Sequence, residues 1–218
     1  MEDYTATSRN GHERIDCFNP MTNTLDIRSN GKYPSCVLSN LCSNGFRFDG
    51  MVCGSMEGFL QSLKHCDLDK QRQLCQMKGG NARKRSVASW QTDQIIWWKG
   101  QAIDRQSEDY QVLLRRAYQS MFEQSERFRA ALMATRGMTL THTTGETDPF
   151  KTILTASEFS RILTEIRTNY DQRDKRIACR KRIYIDTDGR LYELVPLPQD
   201  YHPTPNDEVV NSKKDQPT

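Results

Sequence analysis

The sequence predicts an α-rich α+β fold: a single domain in which short β-hairpins surround a helical body. Apolar residues recur at i, i+3, i+4 and i+7 over the stretches after Ser107, the spacing of one helix face. Asn-Gly and Asp-Gly pairs interrupt short β-favouring runs, as hairpin turns do. The chain has 218 residues, enough for one domain with a sizeable core and short for two.

Composition narrows the function classes. Apolar residues make up 36% and charged residues 27% of the chain, which suits a globular protein with a well-solvated surface. No apolar run approaches the roughly 20 residues of a spanning helix. The opening Met1 to Thr5 lacks the basic and apolar regions of a secretory signal, so a cytoplasmic protein with no membrane partner is expected. The seven cysteines show no C-x-x-C pair, and the nearby Cys36, Cys42 and Cys53 match no zinc module. Reduced thiols, no metal and no cofactor are expected. The net charge of +3 does not by itself draw nucleic acid, but its distribution is uneven. Arg83, Lys84 and Arg85 form one basic cluster with Lys78, and Arg180, Lys181 and Arg182 close another that begins at Arg173. Both are candidate contacts to DNA or RNA, with a solvated charged face as the alternative.

In chain order, residues 1–23 read as a flexible leader. A short strand is expected over Thr24–Arg28, turning at Asn30-Gly31. Tyr33–Asp49 is rich in Ser, Asn and Gly and reads as loop, and Phe46–Val52 as a tight hairpin with Asp49-Gly50 at its turn. Ser55 caps a helix whose core stripe is Met56, Phe59, Leu60 and Leu63. Lys78–Ser86 reads as a basic Gly-Gly connector, followed by an aromatic segment around Trp90, Trp97 and Trp98. Ser107 caps a helix with Tyr110, Leu113, Leu114, Ala117, Tyr118, Met121 and Phe122 inward. A shorter helix carries Phe128, Ala131 and Leu132 and stops at Gly137. Thr155 and Glu158 form a capping box for a last helix with Phe159, Ile162, Leu163 and Ile166 facing the core. Tyr184–Val195 reads as a hairpin turning at Asp188-Gly189, and 196–218 as a disordered tail. The domain is therefore expected over residues 24–195.

Two places look more like site than scaffold. At 100° per residue Glu57, Gln61 and Lys64 fall within a narrow arc beside the apolar stripe, aligning three polar functions on one side of a partly buried helix. The segment Leu140–Pro149, with His142, Glu146 and Asp148 among hydroxyls and a Gly, is poor packing material and good site material.

Leu38-Ser39-Asn40, then Phe46–Gly50, then Ser55-Met56-Glu57-Gly58-Phe59-Leu60-Gln61-Ser62-Leu63-Lys64 resembles the signature opening of the NADAR (NAD- and ADP-ribose-associated) superfamily. Arg116–Thr135 is similar to the family's second block, Leu140–Asp148 to its third, and Thr152–Arg167 to its closing helix. The resemblance covers about residues 33–168 in several ordered blocks. This chain departs from it at Gly58-Phe59, where many relatives have an aromatic pair, and at Pro149-Phe150, where a Trp-Gly pair is frequent.

The resemblance implies an N-glycosyl hydrolase. Two activities follow from it: removal of ADP-ribose from guanine modified by a toxin-type ADP-ribosyltransferase, and cleavage of the N-glycosidic bond of early riboflavin-pathway intermediates. A non-catalytic ADP-ribose or nucleic-acid binding module is the alternative from another class. Breaking a ribose N-glycoside builds oxocarbenium character at the anomeric carbon while the base leaves with negative charge. Glu57 is the candidate carboxylate. Lys64 is the candidate proton donor, phosphate ligand or Schiff-base nucleophile, the last role being the one the resemblance suggests for the matching lysine. Ser39, Asn40, Gln61, Trp98, His142 and Asp148 are candidate substrate contacts. The expected partners are ADP-ribosylated guanine or a phosphoribosyl-amine, DNA or RNA through the basic clusters, and a toxin-type ADP-ribosyltransferase.

Overall fold

A computed structural model describes residues 13–85, 87, 89–180, 183–185 and 191–193, with side chains described through Arg173. The fold is mixed α+β, with small sheets set among helices. The chain divides into two compact units, 1–169 and 170–218.

Order in the first unit begins before Thr24, within the segment expected as leader. There β1 (Phe18–Asn19) pairs antiparallel with β2 (Thr24–Asp26), and Ile15 bridges to Gly31. The leader's low hydropathy is overridden because β2 offers a free edge. After α1 (Ser35–Leu38) comes the expected hairpin, β3 (Phe46–Phe48) and β4 (Met51–Cys53), with Phe48 opposite Met51. Its turn residues Asp49 and Gly50 have φ of 46° and 82°. Both are positive, as a two-residue turn matching strand twist requires.

Ser55 caps α2 (Met56–Ser62), and its Oγ accepts from the Gly58 amide at 3.0 Å. A seven-residue helix is not stable alone, so its packing must hold it. Met56, Phe59, Leu60 and Leu63 are at most 2% exposed, each contributing about 1.5–3 kcal/mol of apolar burial. Next come α3 (Leu68–Cys75), capped by the Asp67 carboxylate on the Lys70 amide at 2.7 Å, and α4 (Gly79–Arg83). The Gly-Gly segment expected as a connector is therefore helical at its centre. A Cβ on Gly58 would lie 2.7 Å from the Leu74 carbonyl oxygen and 2.8 Å from that of Cys75. Glycine at this position, where the resemblance led to an aromatic, lets α2 sit directly on the end of α3.

The aromatic segment forms α5 (Trp90–Asp93) and a hairpin, β5 (Ile95–Trp98) with β6 (Gln101–Asp104), turning on Lys99 and Gly100. The helical body follows as α6 (Glu108–Gln124) and α7 (Glu126–Met133), both capped by serines as their side chains accept from the Tyr110 and Phe128 amides. All seven apolar positions expected to face inward on α6 are buried. β7 (Thr139–Thr141) returns to pair parallel with β2, Leu25 opposite Leu140, completing the sheet β1-β2-β7.

α8 (Ala156–Arg180) starts with the capping box: Thr155 Oγ1 accepts from the Glu158 amide at 3.1 Å, and Glu158 Oε2 accepts from the Thr155 amide at 2.7 Å. Its core residues Phe159, Ile162, Leu163 and Ile166 are all buried. The next stripe positions are Asn169, Tyr170 and Arg173. The boundary between the two units falls inside α8, after Asn169. The second unit contains the expected hairpin, β8 (Ile183–Ile185) with β9 (Leu191–Glu193), Ile183 opposite Glu193. Its turn at Asp188-Gly189 and the 196–218 tail lie outside the described residues. Among the described residues no helix is long and apolar enough to cross a membrane.

Candidate active site

α2 holds the polar face, and its first turn is fixed from several directions. The Ser55 hydroxyl donates to the Met77 carbonyl at 2.9 Å, tying the helix start to the chain before α4. The Glu57 amide donates to the Asn40 carbonyl at 3.0 Å. The Asn40 Oδ1 in turn accepts from the Tyr118 hydroxyl of α6 at 2.7 Å. One turn along α2, Gln61 Nε2 donates to Glu57 Oε1 at 2.8 Å, the i, i+4 contact that helical spacing allows. Lys64 lies just past the helix, its amide bonded to the Gln61 carbonyl, and its Nζ stands 5.9 Å from the centre of the Trp90 ring.

These contacts set the electrostatics. Burial pushes the Lys64 amine down from its ordinary value to about 8, with the neighbouring Glu57 charge opposing that fall. An ammonium is costly to desolvate, so at neutral pH this lysine is within reach of its uncharged, nucleophilic form. Tyr118 is fully buried, and its hydroxyl is pushed well above the usual phenol value by that burial, with the Asn40 hydrogen bond opposing and the Glu57 charge adding. It therefore stays a donor, which orients the Asn40 amide with its Nδ2 donor turned away from Tyr118. Gln61 is oriented in the same way. Its Nε2 faces the Glu57 carboxylate, which leaves Oε1 buried and without a hydrogen-bond partner among the described residues. His65 Nε2 is the other such atom, and burial first, then Lys70 and Lys64, lowers the pKa of that ring.

Asn40, Glu57, Gln61 and Lys64 are thus brought together. The remaining candidates are not. Ser39 turns to its own loop, where Oγ accepts from the Leu41 amide at 3.3 Å. Trp98 is a core residue: it stacks on Phe48 at 5.6 Å, meets Phe59 edge-on at 5.1 Å and donates to Asp49 Oδ2 at 2.9 Å, so its ring has no free face for a base. Asp148 closes a turn, accepting from the Phe150 amide at 2.9 Å and pairing with Lys151 at 3.5 Å. His142 Nδ1 lies 2.7 Å from the Ile27 carbonyl. A carbonyl only accepts, so Nδ1 carries the hydrogen. The ring packs edge-on to Phe159, which itself leans on Tyr118, placing His142 one aromatic layer away from the α2 face.

Two residues of the site had no signature in spacing. Tyr118 reads as an ordinary core aromatic, and only its Asn40 contact reveals a polar role. Trp90 is distant from Lys64 in sequence. Arg83, Lys84 and Arg85 are exposed. The Arg180 side chain, Lys181 and Arg182 lie outside the described residues.

Two concavities of similar volume lie on the first unit. One, of about 430 Å³, is lined by residues of the β3–β4 hairpin, α6 and α8, among them Phe48, Arg116 and Ile162, and includes no residue of α2. Its Arg116 already pairs with Asp49 at 2.7 Å and covers the Phe48 ring. The other, of about 450 Å³, is lined by Met77, Asn81, Lys84 and Arg85 and likewise includes no residue of α2. Among the described residues no group of three His, Cys, Asp or Glu side chains is placed to hold a metal ion.

Comparison with known proteins places this architecture. The family of bacteriophage protein GP30.3, which is of NADAR type, matches residues 32–168. An Enterobacteria phage T4 protein, described as an uncharacterized 17.1 kDa protein in the Gp30-rIII intergenic region, is 37% identical over 147 residues, covering 66% of this chain and 96% of the relative. Among solved structures the chain is similar to the NMR structure of the E. coli protein YbiA, with 15% identity, a TM-score of 0.48, and coverage of 74% of this chain and 93% of YbiA. A family match running from residue 32 to 168, with a T4 relative covered over almost its whole length, leads to one assignment: the chain belongs to the bacteriophage GP30.3 family, a NADAR-type family.

Proposed function

We propose that this protein is an N-glycosyl hydrolase that removes ADP-ribose from ADP-ribosylated guanine, as nucleotide or in nucleic acid. The observation that carries the reading is Lys64, a half-buried amine lowered to about 8 next to the Glu57 carboxylate, at the end of a helix face bordered by the oriented amides of Gln61 on α2 and Asn40 on the loop after α1. In this reading the neutral Lys64 amine attacks the anomeric carbon as that carbon's bond to the ring oxygen breaks, one amine proton passing to the oxygen and the second being left for the departing base. The bond from that carbon to the guanine nitrogen breaks, and the leaving nitrogen takes a proton relayed by Glu57. Water then hydrolyses the lysine imine, returning the free amine and the aldehyde sugar. The fixed amides of Asn40 and Gln61 orient the sugar hydroxyls, the first as donor and the second as acceptor. A toxin-type ADP-ribosyltransferase is the class of enzyme that would supply the modified guanine.

Incubation of the full chain with ADP-ribosylated guanosine monophosphate, followed by chromatography, should show free guanosine monophosphate and ADP-ribose. Release from an early riboflavin-pathway phosphoribosyl-amine alone would move the substrate to that pathway. Absence of turnover on both, with ADP-ribose still bound, would make the protein a binding module. Borohydride added during turnover should trap a ribosyl adduct on the wild type and none on Lys64→Ala.

A further inference from the structure

We propose that the basic concavity at the end of α4 is a phosphate site that holds the diphosphate of the substrate, an assignment that rests on the glycohydrolase reading above. The concavity has a volume of about 450 Å³ and is lined by Met77, Asn81, Lys84 and Arg85, within the range of small-ligand pockets. Asn81, Lys84 and Arg85 stand at i, i+3 and i+4, so helical geometry brings an amide and two cations to one side of α4 and its C-terminal turn. Arg83, at i+2, falls on the other side and does not line it. Both lining cations are exposed, and no described acidic side chain pairs with either. Adjacent like charges converging on a hollow repel each other, and an anion with several acceptor oxygens relieves that repulsion.

Met77, which lines the hollow, is also packed against the start of α2. The Met77 carbonyl receives the Ser55 hydroxyl at 2.9 Å, and it is also one of the atoms a Cβ on Gly58 would meet, at 3.0 Å. Ser55 and Gly58 flank Glu57 in the first turn of α2. Farther along, the same stretch of chain reaches Trp90, whose ring faces Lys64. One segment, from Met77 to Trp90, therefore carries the cationic hollow at one end and a wall of the α2 face at the other. On this proposal a substrate held with its anomeric carbon at Lys64 extends its diphosphate along that segment toward Lys84 and Arg85. A phosphodiester strand would instead favour a row of outward cations that includes Arg83, and the concave arrangement excludes that residue.

The test is calorimetric titration of the full chain and of Lys84→Ala, Arg85→Ala and Arg83→Ala with ADP-ribose and, separately, with inorganic pyrophosphate, alongside the anisotropy of a labelled single-stranded oligonucleotide. Loss of a charge-assisted contact should weaken both phosphate probes about tenfold or more in the Lys84 and Arg85 variants, and leave them within about twofold in Arg83→Ala. Unchanged ADP-ribose affinity in the Lys84 and Arg85 variants overturns the phosphate site and leaves the glycohydrolase reading standing. Pyrophosphate bound by the wild type and lost in those variants, with no ADP-ribose binding, keeps the phosphate site and removes the glycohydrolase reading. An equal loss in all three variants, or weakening of the oligonucleotide alone, assigns the patch to nucleic acid and overturns the proposal. Failure of the wild type to bind either phosphate probe also overturns it.

Discussion

Arg105→Ala should destabilise the first unit by about 3–5 kcal/mol, the cost of leaving one member of a buried ion pair without its partner. The Arg105 side chain is 1% exposed and that of Glu158 15%. The guanidinium donates to Glu158 Oε1 at 3.0 Å and Oε2 at 2.7 Å, and its Nε donates to the Thr152 carbonyl at 3.1 Å. The planar group also lies over the Tyr110 ring at 4.7 Å. Glu158 is held as well by Thr155 and by Gln111 Nε2 at 2.6 Å, so the pair joins β6, α6 and the start of α8. Burial raises the Glu158 carboxyl, but the Arg105, Thr155 and Gln111 hydrogen bonds outweigh it, and the net value is lowered. A lowered acid contributes stability above its unfolded value, about 4.3, and loses it as pH falls through the folded value. The wild type should thus lose stability at acid pH. In Arg105→Ala the buried carboxyl is left without its cation, its value rises, and protonation relieves it as pH falls. The gap between wild type and variant should therefore be widest near neutrality and shrink toward pH 4. Urea melts followed by tryptophan fluorescence report this unit, since Trp90, Trp97 and Trp98 all lie within it. A loss below about 1 kcal/mol at pH 7, or a gap that widens on acidification, would refute the reasoning.

Other outcomes follow from the same structure. Turnover should rise with pH through about 8 if neutral Lys64 is the reacting form, and Lys64→Arg should abolish both that limb and most of the activity; a fall above that pH would make the lysine a proton donor. Because the folded-state Lys64 value is depressed, the charged amine opposes folding below about 8, and the wild type should gain stability from there up to about pH 10. Lys64→Met should lack that gain in thermal melts. Gly58→Ala should cost about 1–3 kcal/mol by forcing α2 off the end of α3, read as a lowered melting temperature. Trp98→Phe should cost about 1 kcal/mol through the lost Asp49 hydrogen bond while leaving ADP-ribose affinity unchanged in calorimetry.

The parts of the fold legible in the sequence were those set by local rules. Ser55, Ser107 and the Thr155/Glu158 box mark helix starts because the orphan amides of a first turn must be satisfied nearby. The Asp49-Gly50 turn is readable because few residues adopt positive φ in succession. Pairings over long sequence separations were not readable. Nothing near Leu140 in sequence announces its parallel partner at Leu25, and β1 carries no local signal because its partner edge lies beyond a turn. The β5–β6 hairpin was hidden by a turn made from Lys99 and Gly100, an uncommon pair for that geometry. For the candidate site, helical periodicity aligned Glu57, Gln61 and Lys64. Asn40 came from the family resemblance, whereas Tyr118 and Trp90 required the tertiary structure. Trp98 stacks on Phe48 and not on a ligand, a difference that sequence does not carry, since a tryptophan near a polar segment looks the same in either role.

The central claim is that the α2 face performs catalysis, and the most direct measurement is single-turnover cleavage of ADP-ribosylated guanosine monophosphate by Glu57→Gln beside its ADP-ribose affinity. The substitution keeps size and hydrogen-bonding capacity next to Gln61 while removing the charge. A carboxylate acting in the transition state predicts folding and affinity near those of the wild type with a rate lower by about a hundredfold or more. Wild-type turnover in this variant would contradict the account and remove α2 as the catalytic element.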